Sequence, residues 1–528
     1  MSVSETTTLE PGVDNKQLWG LDFHNPVFPI TAVMIVLFII YALFDPARAS
    51  AQMVAVRTWN IDHFAWLFMI AGNLFVVFCL ALILLPVGKI RLGGANTRPE
   101  HSRVSWFAML FAAGMGIGLM FWSVAEPVAY YTDWYGTPLN AAARTAEGAT
   151  AAMGATMFHW GLHPWAIYGM VAVSIGFFTF NLRQPLSLRS AFFPLIGSRV
   201  RGWAGHIVDT IAVLATLFGL TTSLGLGAMQ AAGGLHFLTG IENTLGLQLV
   251  IIAVVTGVAL VSVWRGINAG VKVLSNVNMV IAAALLVFVA FAGGFIAFLK
   301  GLGTTSSAYA EYLLPLSNWI GREDQTWFSG WTVFYWAWWI SWSPFVGVFI
   351  ARISKGRTVR ELLAAVLIVP TLVTIVWMTA FGGNALAQSA AGIGELANGI
   401  GDVSLAMFQM LQNLPLSALT STLAIMLVLI FFVTSADSGS LVIDSITAGG
   451  KTDAPRGQKL MWATMIGAVA AILLSAGGKD ALNALQAASV ATGLPFTIVL
   501  LLMMIGLYKA LHQERYAKSA TAAIAEEV

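Results

Sequence analysis

The sequence predicts an all-α polytopic membrane protein with twelve transmembrane helices. Three observations carry that expectation. Of 528 residues, 58% are hydrophobic and 10% are charged, and the mean hydropathy is +0.79, whereas soluble domains carry about 25% charged residues. Apolar runs of about 18 residues or more recur along the chain, each long enough to cross roughly 30 Å of hydrocarbon. Basic residues alternate from one inter-span loop to the next. A transmembrane β-barrel needs short strands of alternating polarity, and the sequence lacks them.

The expected spans are 28–45, 63–86, 104–125, 155–180, 206–233, 248–264, 276–299, 328–351, 361–381, 417–437, 461–476 and 489–510. Residues 1–25 are polar, without the basic start and apolar core of a cleaved leader. Loops after even-numbered spans carry 17 Lys and Arg, loops after odd-numbered spans six. The positive-inside rule therefore places both termini in the cytoplasm, in a bacterial inner membrane. The polar stretch 264–276 is expected along the membrane surface between spans 6 and 7. The loop 382–416 contains no Lys or Arg. One cysteine excludes a disulfide framework. A net charge of +2 gives no support for nucleic-acid binding. A membrane enzyme would need a nucleophile–base pair or a ligand cluster, and no such grouping is visible.

Two spans carry helix-breaking residues. Span 3 contains "AAGMGIGLMFWSVAEP" (112–127), where Gly114, Gly116 and Gly118 each cost up to about 1 kcal/mol in a helix. Span 8 contains "FYWAWWISWSPF" (334–345), where Pro344 removes a backbone donor. It is expected to kink or break the helix near residue 340. Paired interruptions in two halves mark a substrate site at mid-membrane in transporters. Spans 3 and 8 lie five apart, so helices 3–7 and 8–12 are expected to form an inverted repeat. The divisions are then a tail at 1–25, two additional helices in 26–100, a first repeat in 101–300, a second in 301–510, and a short tail at 511–528.

Aromatic residues cluster at these places. At about 100° per residue, Trp338, Trp339 and Trp342 share an arc of about 100° on span 8, and Trp160, Trp165 and Tyr168 one of about 140° on span 4. Interfacial belts also enrich Trp and Tyr, but Trp338–Trp342 sit mid-span. A box of ring faces suits a quaternary ammonium or sulfonium head. Such a head has no N–H to donate and is held by cation–π attraction. His159 and His163, one turn apart, are expected to be hydrogen-bonded structural residues, and the intramembrane acids Glu126 and Asp437 to brace neighbouring helices.

The segments "GMGIGLMFWSVAEP", "HWGLHPWAIY", "FYWAWWISWSPFVGVFIARISKGRTVRE" and "FFVTSADSGS" resemble the betaine–choline–carnitine transporter (BCCT) family, over about residues 25–510. The resemblance implies a LeuT-like fold of twelve spans, a homotrimer in the lipid bilayer, and no enzymatic activity. It implies an aromatic box of Trp160, Trp165, Tyr168, Trp338, Trp339 and Trp342. The substrate carboxylate would meet backbone around Gly114, Met115, Gly116 and Gly118. It implies one sodium site at Thr434 and Ser435 with carbonyls of Ala112, Met115 and Phe431, and a second at Thr216 and Phe345. Leu220 stands where the second site has another threonine, which leaves the stoichiometry open. Gly118 replaces the aspartate of proton-coupled choline carriers, and residues 206–233 lack the arginine of sodium-independent exchangers. The expected function is sodium-coupled import of a compatible solute such as glycine betaine, with sodium as coupling ion and no other cofactor. The alternative is sodium-independent or proton-coupled transport or exchange of choline, carnitine or dimethylsulfoniopropionate. The tail after span 12 is short, so osmotic activation is not expected.

Overall fold

Hydropathy set the expected spans; the computed structural model, which describes residues 10–114, 116–265 and 270–526, shows how they pack. Two paired strands, β1 (Asn15–Leu18) and β2 (Leu21–His24), precede α1 (Val27–Phe44) and α2 (Pro46–Leu84). The third expected span is two helices, α3 (Arg103–Gly114) and α4 (Ile117–Tyr131). The fourth is also two, α5 (Ala146–Trp160) and α6 (Leu162–Gly176), followed by a single turn, α7 (Phe193–Ile196). Then come α8 (Trp203–Thr239), α9 (Leu245–Arg265), α10 (Gly270–Ala292) and α11 (Phe295–Ser317). The chain ends with the short α12 (Gln325–Trp327), α13 (Val333–Ile353), α14 (Val359–Ala390), α15 (Ala406–Gln412), α16 (Ser417–Thr447), α17 (Arg456–Gly477) and α18 (Ala481–Glu526). Among the described residues, 11 helices are long and apolar enough to cross a membrane. The expected third span falls outside that number because its halves have 12 and 15 residues. The chain is a multi-pass, all-α membrane protein.

Four expectations are corrected. Span 8 does not break at Pro344, because α13 runs unbroken from Val333 to Ile353. Proline at 344 leaves the Ile340 carbonyl without its helical N–H, and the Ser343 hydroxyl donates to that carbonyl at 2.7 Å. The irregularity of this span lies earlier, in a π-helical turn at Phe328–Thr332. Span 7 ends at Ala292 rather than 299, where Gly294 takes φ 103°, a conformation that favours glycine. Of the stretch 264–276, residues 264–265 finish α9, 266–269 lie outside the described residues, and 270–276 open α10. The helix between spans that is too polar to cross is instead α11, packed on α5 and α14. The loop 382–416 is partly helical, since α14 continues to Ala390 and α15 follows.

Loops after even-numbered spans meet on one face. The Arg357 guanidinium donates to the His101 carbonyl at 2.7 Å, and Arg360 to the Ile83 carbonyl. The terminal hairpin joins the same face: Asn15 donates to the Ala448 carbonyl at 2.9 Å, and Lys451 pairs with Asp22 at 2.6 Å. Loops after odd spans meet on the other face, where Arg144 donates to the Ala397 carbonyl at 2.8 Å. This is the alternation the charge pattern anticipates.

His24 ties the hairpin to the bundle by accepting from Arg189 at 2.9 Å. Burial, with Arg189 and His206 adding to it, pushes its pKa from 6.5 down to about 3. The neutral imidazole is the folded form, so the stability it contributes is full above pH 6.5 and is lost as pH falls below that. Amide exchange across Asn15–His24, normalised for intrinsic rates, is expected to quicken between pH 7 and pH 5. Exchange that stays flat over that range would contradict this assignment.

Candidate functional site

The site begins with the glycines of span 3. α3 ends at Gly114, Gly116 is extended (φ −165°, ψ 177°), and α4 starts at Ile117. The first amides of a helix have no acceptor within it and carry about half a positive charge. Here that terminus opens on a cavity lined by Gly116, Gly118 and Leu119 of this segment. Met115 lies outside the described residues, and Ala112 and Gly114 occupy the last turn of α3.

Five other helices complete the lining. Trp160, Pro164, Trp165 and Tyr168 come from α5 and α6; Trp338, Trp339 and Trp342 come from α13; Ser223 and Thr374 come from α8 and α14. The structure thus brings all six expected aromatic residues to one cavity. Its free volume is about 40 Å³, room for about three waters at roughly 10–15 Å³ each. Trp160 stands edge-on to Trp339, with centroids 4.8 Å apart at 73°, and to Trp338 at 6.3 Å and 87°. Trp338 and Trp339 stack at 4.7 Å. Tyr168 meets Trp339 at 6.3 Å and 80°.

The indole N–H groups of Trp338, Trp339 and Trp342 are each held on a fixed acceptor. Trp338 donates to the Ser223 hydroxyl at 3.1 Å, Trp339 to the His159 carbonyl at 2.9 Å, and Trp342 to the Gly219 carbonyl at 3.1 Å. The His159 carbonyl is available because the helix breaks at Gly161 (φ −95°, ψ −127°). A Cβ there would lie 2.5 Å from the Tyr309 hydroxyl, which accepts the Leu162 N–H at 2.7 Å. The break was not anticipated, so the arc of about 140° on span 4 does not apply across Trp160–Trp165. Gly118 has a direct steric reason: a Cβ would sit 2.5 Å from Trp338 Cη2 and 3.0 Å from Trp160 Cη2.

Behind Trp160 lies Glu126, fully buried on α4. Its Oε1 accepts from the Tyr130 hydroxyl and from His159 Nδ1, each at 2.8 Å. Its Oε2 accepts from Trp160 Nε1 at 2.7 Å and from the Tyr335 hydroxyl. Glu126 does bind neighbouring helices together, as expected, and it also orients one wall of the cavity. His159 and His163 are hydrogen-bonded, the latter to Asn73 at 3.0 Å. Ser223, Pro164, Leu119 and Thr374 were not singled out in the sequence. Hydroxyls within apolar spans, as in the run Thr221–Ser223 and at Thr371 and Thr374, were the available signal.

The expected sodium ligands are less closely organised. Thr434 donates to its own helix, to the Ile430 and Phe431 carbonyls at 3.0 and 3.2 Å, and Thr216 donates to Ala212 at 2.7 Å. Each hydroxyl keeps lone pairs free for a cation. Phe345 packs on Trp342 at 5.4 Å. Leu220 packs against Gly439, whose Cβ would lie 2.4 Å from its Cδ1. Asp437 accepts from the Ser262 hydroxyl at 2.6 Å, joining α16 to α9.

A multi-pass helical bundle with a broken helix and an aromatic cavity in its interior has the layout of a solute carrier. Residues 26–516 match the betaine/carnitine/choline family transporter model, and the chain belongs to that family. It is 60% identical to glycine betaine transporter 1 of Vibrio parahaemolyticus over 97% of this chain and 98% of that one. A glycine betaine/proline/choline/ectoine transporter of the same organism is 56% identical, over 97% of this chain and 91% of the relative. Glycine betaine transporter OpuD of Bacillus subtilis is 41% identical, over 93% and 95%.

Proposed function

We propose that this chain is a sodium-coupled secondary transporter that imports a quaternary ammonium or sulfonium compatible solute, glycine betaine first. One observation carries the reading: ring faces and edges of Trp160, Trp338 and Trp339 converge on a cavity that also receives the N-terminus of α4. Rings attract a permanent cation without needing a proton from it, and the helix terminus suits a carboxylate. A zwitterion with both groups a few ångströms apart satisfies both ends. The cavity lies between walls from α6 and α13, which would have to part for entry and exit, as alternating access demands. The names of the relatives point to the same solutes.

The fold is read as an inverted repeat of helices 3–7 and 8–12. Three pairings that such a repeat maps onto themselves are present: span 5 packs on span 10, span 6 on span 11, and span 4 on span 9. Packing of span 4 on span 8 is matched by span 9 on span 3. We read both termini as cytoplasmic in an inner membrane, from the charge bias of the loops, and the assembly as a trimer, from family resemblance. Sodium would be held by Thr434 and Ser435 with carbonyls of Ala112, Met115 and Phe431; a second ion at Thr216 and Phe345 would lack one hydroxyl because of Leu220. By family resemblance, Gly118 in place of an aspartate favours sodium over proton coupling; a Cβ there would also meet Trp338.

Uptake of labelled glycine betaine into proteoliposomes is expected to need an inward sodium gradient. It is expected to collapse when sodium is equal on both sides at zero membrane potential. Concentrative uptake in sodium-free buffer would overturn the coupling.

A further inference from the structure

Glu126 receives four hydrogen bonds, and four different side chains supply them. None comes from Lys or Arg. The His159 contact does not require a cation either. One tautomer satisfies the whole group, with Nδ1–H donating to Glu126 and Nε2 accepting from the Thr332 hydroxyl at 2.9 Å. With that tautomer the carboxylate sits fully buried among neutral donors, with no Lys or Arg beside it. Burying an unpaired charge is costly, and mere bracing of helices calls for acceptors rather than for a charge.

The position of that charge gives it a use. Trp160 lies between Glu126 and the cavity: its Nε1 donates to Oε2 at 2.7 Å, while its ring lines the cavity. A charge-assisted N–H bond pushes electron density into the indole and deepens the negative potential of its face. The carboxylate also attracts a cation directly across the width of one ring. Tyr335, the other donor to Oε2, stacks on Trp339 at 5.7 Å and 27°. The same group thereby holds both facing walls.

We propose that Glu126 is a specificity-determining positioning residue: its carboxylate, behind Trp160, makes the cage prefer a cationic head over a neutral head of the same shape. This rests on the reading of the cage as an onium site.

The test uses two ligands of one shape, glycine betaine and 3,3-dimethylbutyrate, in which carbon replaces the charged nitrogen. Each competes against labelled glycine betaine for binding to the full-length purified protein. In the unsubstituted protein glycine betaine binds more tightly. Glu126→Gln is expected to reduce that preference by about tenfold, the order given by Coulomb attraction across one ring at an effective dielectric near 20. Glu126→Asp keeps the charge and is expected to hold the preference within about threefold of the original, even where both ligands weaken. A purely structural role would weaken both ligands equally in Glu126→Gln, and that result overturns the proposal. If Glu126→Gln does not elute as a folded species, Glu126→Asp decides: a preference lost despite the retained charge overturns it as well. Failure of the unsubstituted protein to bind glycine betaine at all would instead defeat the onium reading.

Discussion

Trp339→Ala is expected to raise the KM for glycine betaine uptake by about thirtyfold or more while the protein still inserts and folds. A desolvated cation–π contact is worth about 2 kcal/mol or more, and 1.4 kcal/mol is a factor of ten in affinity. Trp339 contributes more than its own face. It stacks on Trp338 at 4.7 Å, meets Trp160 edge-on at 4.8 Å, and contacts Tyr168 at 6.3 Å. Removing it takes one ring contact from each of Trp338, Trp160, Tyr168 and Tyr335 and orphans the His159 carbonyl that its N–H occupies. Trp66→Ala is the matched control. Trp66 sits on α2, is 46% exposed, and bonds only the nearby His63 carbonyl, as expected of an interfacial tryptophan. Uptake should be unchanged there. Equal effects of the two substitutions would show that the cage is not where the solute binds.

The contrast between these tryptophans marks how far the sequence could be read. Trp338, Trp339 and Trp342 share an arc because α13 is a continuous helix, so a period of about 3.6 residues placed them correctly. The same arithmetic had no right to work for Trp160 and Trp165, whose helices part at Gly161. They reach one cavity because Tyr309, on α11, takes the freed Leu162 amide. That contact spans 147 residues, and no local pattern announces it. Pro344 misled in the opposite direction as the sign of a break. Proline removes one donor, but Ser343 next to it supplies another, and a rule that counts only proline misses the repair.

Long apolar runs made most spans legible, since each must satisfy its own backbone in lipid. α11 was missed for a related reason. It is amphipathic, with Lys300 and Glu311 among its residues, and it blurs the end of the preceding span. Glu126 was visible as an intramembrane acid. Its four donors come from α4, α5 and α13, and only packed coordinates bring those together.

Asp324→Ala is expected to destabilise the protein by about 3–5 kcal/mol, the usual cost of stranding one partner of a buried ion pair. Arg322 and Asp324 form a two-pronged bridge, with Nε to Oδ1 at 2.7 Å and Nη2 to Oδ2 at 2.6 Å. Their side chains are 3% and 1% exposed. The pair is a junction between three segments. Asp324 accepts the Leu139 amide at 2.7 Å, and Arg322 donates to the Leu316 carbonyl at the end of α11 at 3.1 Å. The guanidinium also lies 5.0 Å from the Phe328 ring, at the start of the π-helical turn that leads into α13. Losing the carboxylate leaves Arg322 buried without a counter-charge and the Leu139 amide without an acceptor. The midpoint of thermal unfolding in detergent, compared at one scan rate, should fall by about 5 °C or more. Replacing both residues, as Arg322→Met with Asp324→Leu, removes the stranded charge and should recover most of the loss, leaving about 1–3 kcal/mol for the orphaned amide. If the double substitution is as damaging as Asp324→Ala alone, then the cost lies in the lost contacts of the junction and not in an unpaired charge.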